Sequence, residues 1–151
     1  MRFDTLIEGK NKISHALINT SDRTTQEGFL RDYSDYLYEN KLRTFHGLDR
    51  LLLYRPDGSL DDVKYIFGCI DSSAVYDNYF EGVLAFDVSK LLYPRNELAA
   101  QYFCERLSDP KYSEHATIVV FVNEYGSEST QRFEKRLSSS IKCKKIDITK
   151  K

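Results

Sequence analysis

Two short segments constrain what this chain can fold into more than anything else in it. Residues 82–88 read Gly-Val-Leu-Ala-Phe-Asp-Val, an almost continuous apolar run, and residues 117–122 read Thr-Ile-Val-Val-Phe-Val, the most β-branched run in the chain. A strand with one wet face alternates apolar and polar residues. A run without alternation is the pattern of a strand buried on both faces, as in parallel sheets covered by helices on either side. Between the two runs, Leu98, Ala99, Tyr102, Phe103 and Leu107 recur at helical spacing, with Asn96 in the capping place and Asp109-Pro110 as the stop. Strand, helix, strand is a crossover unit of right-handed sense. The strands around positions 84 and 120 are therefore expected side by side, parallel, in the middle of the molecule.

The remaining segments fill in the same pattern. Residues 3–7 read as a short strand stopped by Glu8-Gly9, and residues 11–18 as a helix with Ile13, Ala16 and Leu17 at helical spacing. A polar turn at 21–25 leads to a clearer helix at 26–40, where Phe29, Leu30, Tyr33, Tyr36 and Leu37 share a face and Thr24 or Thr25 caps the start. Residues 51–54 form a strand that ends at the turn signal Arg55-Pro56-Asp57-Gly58. Ser59 and Asp62 have capping-box spacing before a helix at 61–69; a strand is the competing reading there, because Val-Lys-Tyr-Ile-Phe is also β-rich. A helix at 129–138 with Phe133 and Leu137 inward and a strand at 143–148 complete the chain. The expected fold is α/β, a mostly parallel central sheet with helices packed on it, in a single three-layer domain over residues 1–151. That length is ordinary for one domain.

Composition narrows the function classes. The 41% hydrophobic fraction supplies a core, and the net charge of −1 excludes a globally basic nucleic-acid binder. Cys69, Cys104 and Cys143 are odd in number and widely spaced, which argues against a disulfide framework and for a reducing, cytoplasmic setting. His15, His46 and His115 form no zinc-ligand spacing with them. No signal-peptide pattern opens the chain, and no apolar run approaches a membrane span. Asn19-Thr20-Ser21 matches a glycosylation acceptor, a chance match in a cytoplasmic chain. No cofactor and no membrane contact are expected.

Several segments carry chemistry-bearing residues. Gly9, Lys10, Lys12 and Ser14 lie where a phosphate loop would stand between a first strand and a first helix; with one glycine and no Gly-Lys-Ser/Thr ending, an ordinary polar turn is the alternative. Asp87 closes a buried strand, where an acid holds magnesium or its water in nucleotide hydrolases; here Val88 follows instead of a second acid, and a plain turn cap is the alternative. Asn123 follows the other dry strand, at the edge where open parallel sheets bind ligands, placed to orient a water or a phosphate; a turn before Gly126 is the alternative. Arg132, Lys135, Arg136, Lys142, Lys144 and Lys145 form a C-terminal basic region suited to phosphate backbones, or equally a solvated face. Asp77, Asp87 and Lys90 loosely match a restriction-nuclease metal site, one residue too long in the acid-to-lysine step.

In order along the chain, these segments resemble the core of AAA+ ATPases, above all the degenerate modules of clamp-loader subunits. The likeness rests on the glycine turn at residues 8–14, the acid-ended strand Val83 to Asp87 with Ser89-Lys90-Leu91-Leu92 after it, the strand ending in Asn123, and the helix Gln131-Arg132-Phe133-Glu134-Lys135-Arg136-Leu137. Val120-Phe121-Val122-Asn123-Glu124 is also similar to the third motif of small viral replication helicases. The chain departs from the family in lacking the phosphate-loop lysine and second glycine, the catalytic acid after Asp87, and the C-terminal helical lid. The resemblance implies a non-catalytic scaffold or protein-interaction module in nucleic-acid metabolism, with another protein as partner. Two alternatives stand beside it: a restriction-endonuclease-like metal-dependent nuclease, favoured by a strand at 63–70, and an adaptor or immunity protein with no active site.

Overall fold

The structure is a computed structural model that describes residues 3–9, 12–20, 22–40, 51–76, 82–114, 116–123 and 127–148. A 3-10 turn at Phe3–Leu6 leads into an antiparallel ribbon of β1 (Ile7–Gly9) and β2 (Lys12–Ile13). The main sheet contains β3 (His15–Asn19), β4 (Leu51–Tyr54), β5 (Gly82–Asp87), β6 (Ala116–Val122) and β7 (Cys143–Asp147). The helices are α1 (Arg23–Glu39), α2 (Leu60–Tyr76), α3 (Glu97–Leu107), the short α4 (Pro110–Ser113) and α5 (Glu128–Ser138).

All pairings within the main sheet are parallel, and its order is β4-β5-β6-β3-β7. The two dry runs are neighbours as expected, with Leu84 opposite Ile118 and Phe86 opposite Val120. Every residue of β6 is buried. One sheet face carries Leu84, Phe86, Ile118 and Val120 against α2, α3 and α5; the other carries Ala16, Ile18, Val83, Ala85, Val119 and Phe121 against α1 and Leu6. Alternation along each strand thus feeds two cores. The β3-to-β4 connection runs back across the sheet, and among the described residues its α1 is the α-helix that packs on the second face. Right-handed crossovers produce this distribution.

The first eighteen residues differ from the sequence reading. No helix forms over the described residues 12–18: that stretch holds β2 and then β3, and residues 3–7 are mostly the 3-10 turn. Ile13, Ala16 and Leu17 do have helical spacing, but Ala16 through Asn19 are buried in succession between β6 and β7. Burial on both faces leaves no alternation from which to tell strand from helix.

Smaller differences lie at helix ends. Asp22, not Thr24 or Thr25, caps α1: the Thr25 amide and hydroxyl donate to its carboxylate at 2.6 and 2.7 Å. Residues 61–69 are helical. The Ser59 hydroxyl accepts from the Asp62 amide at 3.1 Å, while the Asp62 carboxylate accepts from Asp57 rather than closing the box on Ser59. Gly58 between them has φ of +102°, and a Cβ there would meet the Asn96 amide at 2.4 Å. Asn96 makes no cap bond to α3; its side chain donates to the Lys90 carbonyl at 2.8 Å. Leu98, expected in the inner stripe of α3, is 71% exposed, and Ala100 and Cys104 join Ala99, Phe103 and Leu107 inside.

Candidate functional site at the carboxyl edge of the sheet

In an open parallel sheet the ligand crevice lies outside the carboxyl ends, where neighbouring strands send their connections opposite ways. Here that place is between β3 and β6. The connection from β3 crosses to the far edge at β4, and that from β6 passes β3 to reach β7. The residues that follow these strands are Thr20 and Asn123. The Thr20 amide donates to the Val122 carbonyl at 3.0 Å, extending the β3-β6 ladder by one rung, and Thr20 is only 1% exposed. Asn123 is exposed beside it.

Three residues, 20–22, separate β3 from α1 in the sequence; they include no glycine and are far fewer than a phosphate loop needs. The last of them places a carboxylate on the N-terminus of α1, where helix amides would otherwise receive an anion. The Thr25 amide and hydroxyl hold the Asp22 carboxyl below its ordinary value of 3.8. Its contribution to stability is therefore present above that value and lost as pH falls through the lowered one. Asp22→Ala is expected to be less stable than wild type at neutral pH, with the gap closing below about pH 4. Urea unfolding of both proteins across acid pH measures this; a gap independent of pH would refute the cap.

Asp87 ends β5 on the other side of β6, and both of its carboxylate oxygens accept hydrogen bonds. One carboxylate oxygen accepts from the Ser89 amide at 3.1 Å and hydroxyl at 2.6 Å. The other accepts from the Gln26 side-chain amide, in the first turns of α1, at 2.9 Å. A carboxylate only accepts, so the Gln26 nitrogen must face it. The Gln26 oxygen is then left buried without a hydrogen-bond partner, in a residue 4% exposed. The Ser89 amide and hydroxyl and the Gln26 side-chain amide thus hold the Asp87 carboxylate in place.

The other expected site residues are dispersed. Gly9 and Lys12 lie in the β1-β2 ribbon, outside the main sheet, and Ser14 immediately precedes β3, at the opposite edge from the crevice. A phosphate loop cannot form there, because residues 8–14 lead into a strand instead of a helix. Lys10 and Asp77 lie outside the described residues. Among the described residues no group of three or more His, Cys, Asp or Glu side chains stands together as metal ligands. The strand at 63–70 that would favour a nuclease is the helix α2. Burial pushes the Cys104 and Cys143 thiols up to about 12, so both stay protonated at neutral pH and make poor nucleophiles.

The C-terminal cations are split between surfaces. Arg132 bridges Glu128 at 3.5 Å, Arg136 bridges Glu97 at 3.0 Å and Lys145 bridges Glu134 at 2.9 Å. Successive side chains of β7 point to opposite faces, so Lys144 and Lys145 do not share one. Lys135 and Lys142 are exposed. Asn19 is only 8% exposed within β3, which excludes a glycan there in the folded protein. No helix among the described residues is long and apolar enough to cross a membrane.

Sequence reasoning missed Asp22 and Gln26, the two residues that define this edge. The run Asp-x-x-Thr at 22–25 was a readable capping signal. Nothing in the sequence pairs Gln26 with a residue 61 positions away. No protein-family model matches the chain, and no curated protein sequence matches it.

Proposed function

We propose that this chain is a non-catalytic module with the architecture of a degenerate P-loop ATPase core, acting by binding another protein in nucleic-acid metabolism. The observation that carries the reading is the state of the carboxyl edge. A glycine-less turn replaces the phosphate loop, the Asp22 carboxylate occupies the helix N-terminus, and Gln26 and Ser89 take up both oxygens of Asp87. A triphosphate brought there would face the Asp22 carboxylate, and a magnesium ion would compete with the donors that already hold Asp87.

The strand order adds to this. Counted along the chain, the main-sheet strands lie second, third, fourth, first, fifth. Insertion of the fourth between the first and third departs from the Rossmann and flavodoxin orders and resembles the AAA+ core. The acid-ended strand β5 and the polar-ended strand β6 are neighbours in that order, which supports the reading.

The test is a thermal-shift panel with ATP and Mg²⁺, each alone and together. A ligand at one hundred times its dissociation constant stabilises by about 2.7 kcal/mol, roughly 5–10 °C in a domain of this size. No shift is expected from any combination. A rise of several degrees with Mg·ATP would overturn the reading, and one with metal alone would favour a nuclease.

A further inference from the structure

The main sheet has two edges, and they are built differently. Among the described residues, β4 and β7 each pair with a single neighbouring strand. An edge strand presents a row of unpaired main-chain N–H and C=O groups, and charged side chains are a common guard against its pairing with another strand. β7 reads Cys-Lys-Lys-Ile-Asp and is guarded in this way. β4 reads Leu-Leu-Leu-Tyr, with no charge, proline or glycine. Arg55, the next residue, is already paired with Glu27 at 3.3 Å.

A second observation lies beside this edge. Tyr65 on α2 is 70% exposed, one of three large hydrophobic residues exposed among the described ones. α2 turns Phe67 toward Phe103 and Asp71 toward Arg106, both on α3. Cys69 stands two residues before Asp71, about 200° round the helix and so on the side away from α3. Tyr65, one turn earlier on that side, shares a hydrogen bond with the Cys69 thiol, which in turn lies close to Tyr54 at the end of β4. Tyr54, Cys69 and Tyr65 thus form a ridge along the unguarded edge.

Main-chain chemistry makes the occupant an extended strand, and charge makes it a second copy of this chain. Two copies paired antiparallel through β4 set the same residues against each other about a two-fold axis. Four uncharged residues meet there without repulsion, whereas the same contact through β7 would bring Lys144 and Lys145 against their own copies. The helix layer fits as well. Phe67 of α2 and Tyr54 of β4 both meet the Phe86 ring, at 5.9 and 6.0 Å, so α2 covers the last two strands of the sheet. Strands lie about 4.8 Å apart, so α2 meets its copy two spacings away, at about 10 Å, an ordinary helix-packing distance.

We infer that this chain forms a two-fold dimer through β4, which joins two five-stranded sheets into one and packs Tyr65 of each copy at the seam between the α2 helices. The inference goes beyond the protein-binding reading above and does not depend on it. A short strand and one helix face from each copy make a small interface, so association falls in the micromolar range.

The experiment is sedimentation equilibrium of the full chain from micromolar to near-millimolar concentration. The mass is expected to rise from 17.6 kDa toward twice that value. Tyr65→Lys sets two lysines across the seam and weakens association about tenfold or more, without loss of helix signal at dilution. Leu98→Lys, at an exposed residue on α3 away from this edge, leaves association unchanged. Hydrogen exchange of the outward amides of Leu51–Tyr54 slows as concentration rises. A mass that stays at 17.6 kDa throughout overturns the inference. So does a dimer that survives Tyr65→Lys, one that is broken by Leu98→Lys, or one that leaves exchange in β4 unchanged, since each uses another surface.

Discussion

Phe67→Ala is expected to destabilise the protein by about 3–5 kcal/mol, a large share of the 5–15 kcal/mol that holds a typical domain together. Phe67 is 1% exposed in α2. Its ring lies 5.9 Å from those of Phe86 and Phe103 and 5.5 Å from that of Tyr112, joining the sheet to α3 and α4. The Arg106 guanidinium sits 5.5 Å over the same ring. That arginine donates to Asp71 at 2.9 Å and to the Tyr112 hydroxyl at 2.6 Å, and the hydroxyl donates to Asp71 at 2.5 Å. Burial and Asp71 raise the Tyr112 pKa well above its ordinary 10.0, so the phenol remains a neutral donor through the alkaline range. Truncating Phe67 removes ring contacts and the surface on which this polar triad rests. Phe67→Leu keeps most of the volume and should cost roughly 1–2 kcal/mol. Urea unfolding measures both, and a loss under about 1 kcal/mol for the alanine variant would mean that α2 does not pack as described.

Asp87→Ala is the second large effect, expected at about 2–3 kcal/mol, and its informative companion is Asp87→Asn. Alanine removes the acceptor of Gln26 and of both Ser89 donors. The Gln26 side-chain amide is then left without a partner in a residue 4% exposed. Hydrogen bonds to charged groups are worth about 1.5–3 kcal/mol, and stranding a buried donor adds to the loss. Asparagine retains an oxygen for Ser89. Its new amide group can donate to the idle Gln26 oxygen once the Gln26 side chain turns over, so the cost should fall to about 1 kcal/mol. A metal-binding carboxylate would respond differently: both substitutions would abolish a Mn²⁺-dependent rise in melting temperature. Denaturant unfolding with and without Mn²⁺ separates the two roles. Equal losses for both variants, together with a metal effect present only in wild type, would assign Asp87 to a metal.

Much of the fold was legible because burial leaves a strong local imprint. The runs at 82–88 and 117–122 are dry enough to be strands covered on both faces. The stripes Phe29, Leu30, Tyr33, Leu37 and Phe133, Leu137 point inward as their spacing requires. The failures share one cause. At 11–18 and at Leu98 a short apolar pattern was compatible with more than one arrangement, and contacts distant in sequence made the choice. β3 is a strand because β6 and β7 flank it. Leu98 faces outward because Ala99, Ala100 and Phe103 take the inner side of α3.

The site was less legible for the same reason. Asp87 could be placed at a strand end from the sequence, but its role depends on Gln26, which reaches it only because α1 starts beside β5's carboxyl end. The amino-acid order by itself determined the dry strands, the helical stripes between them and hence a parallel, helix-covered sheet, since those properties depend on residues a few positions apart. Only the tertiary structure decided which strand lies at the switch point, which turn stands beside Asp87, and that Gln26 and Ser89 hold its carboxylate. Those outcomes depend on pairings across tens of residues, which leave no local pattern to read.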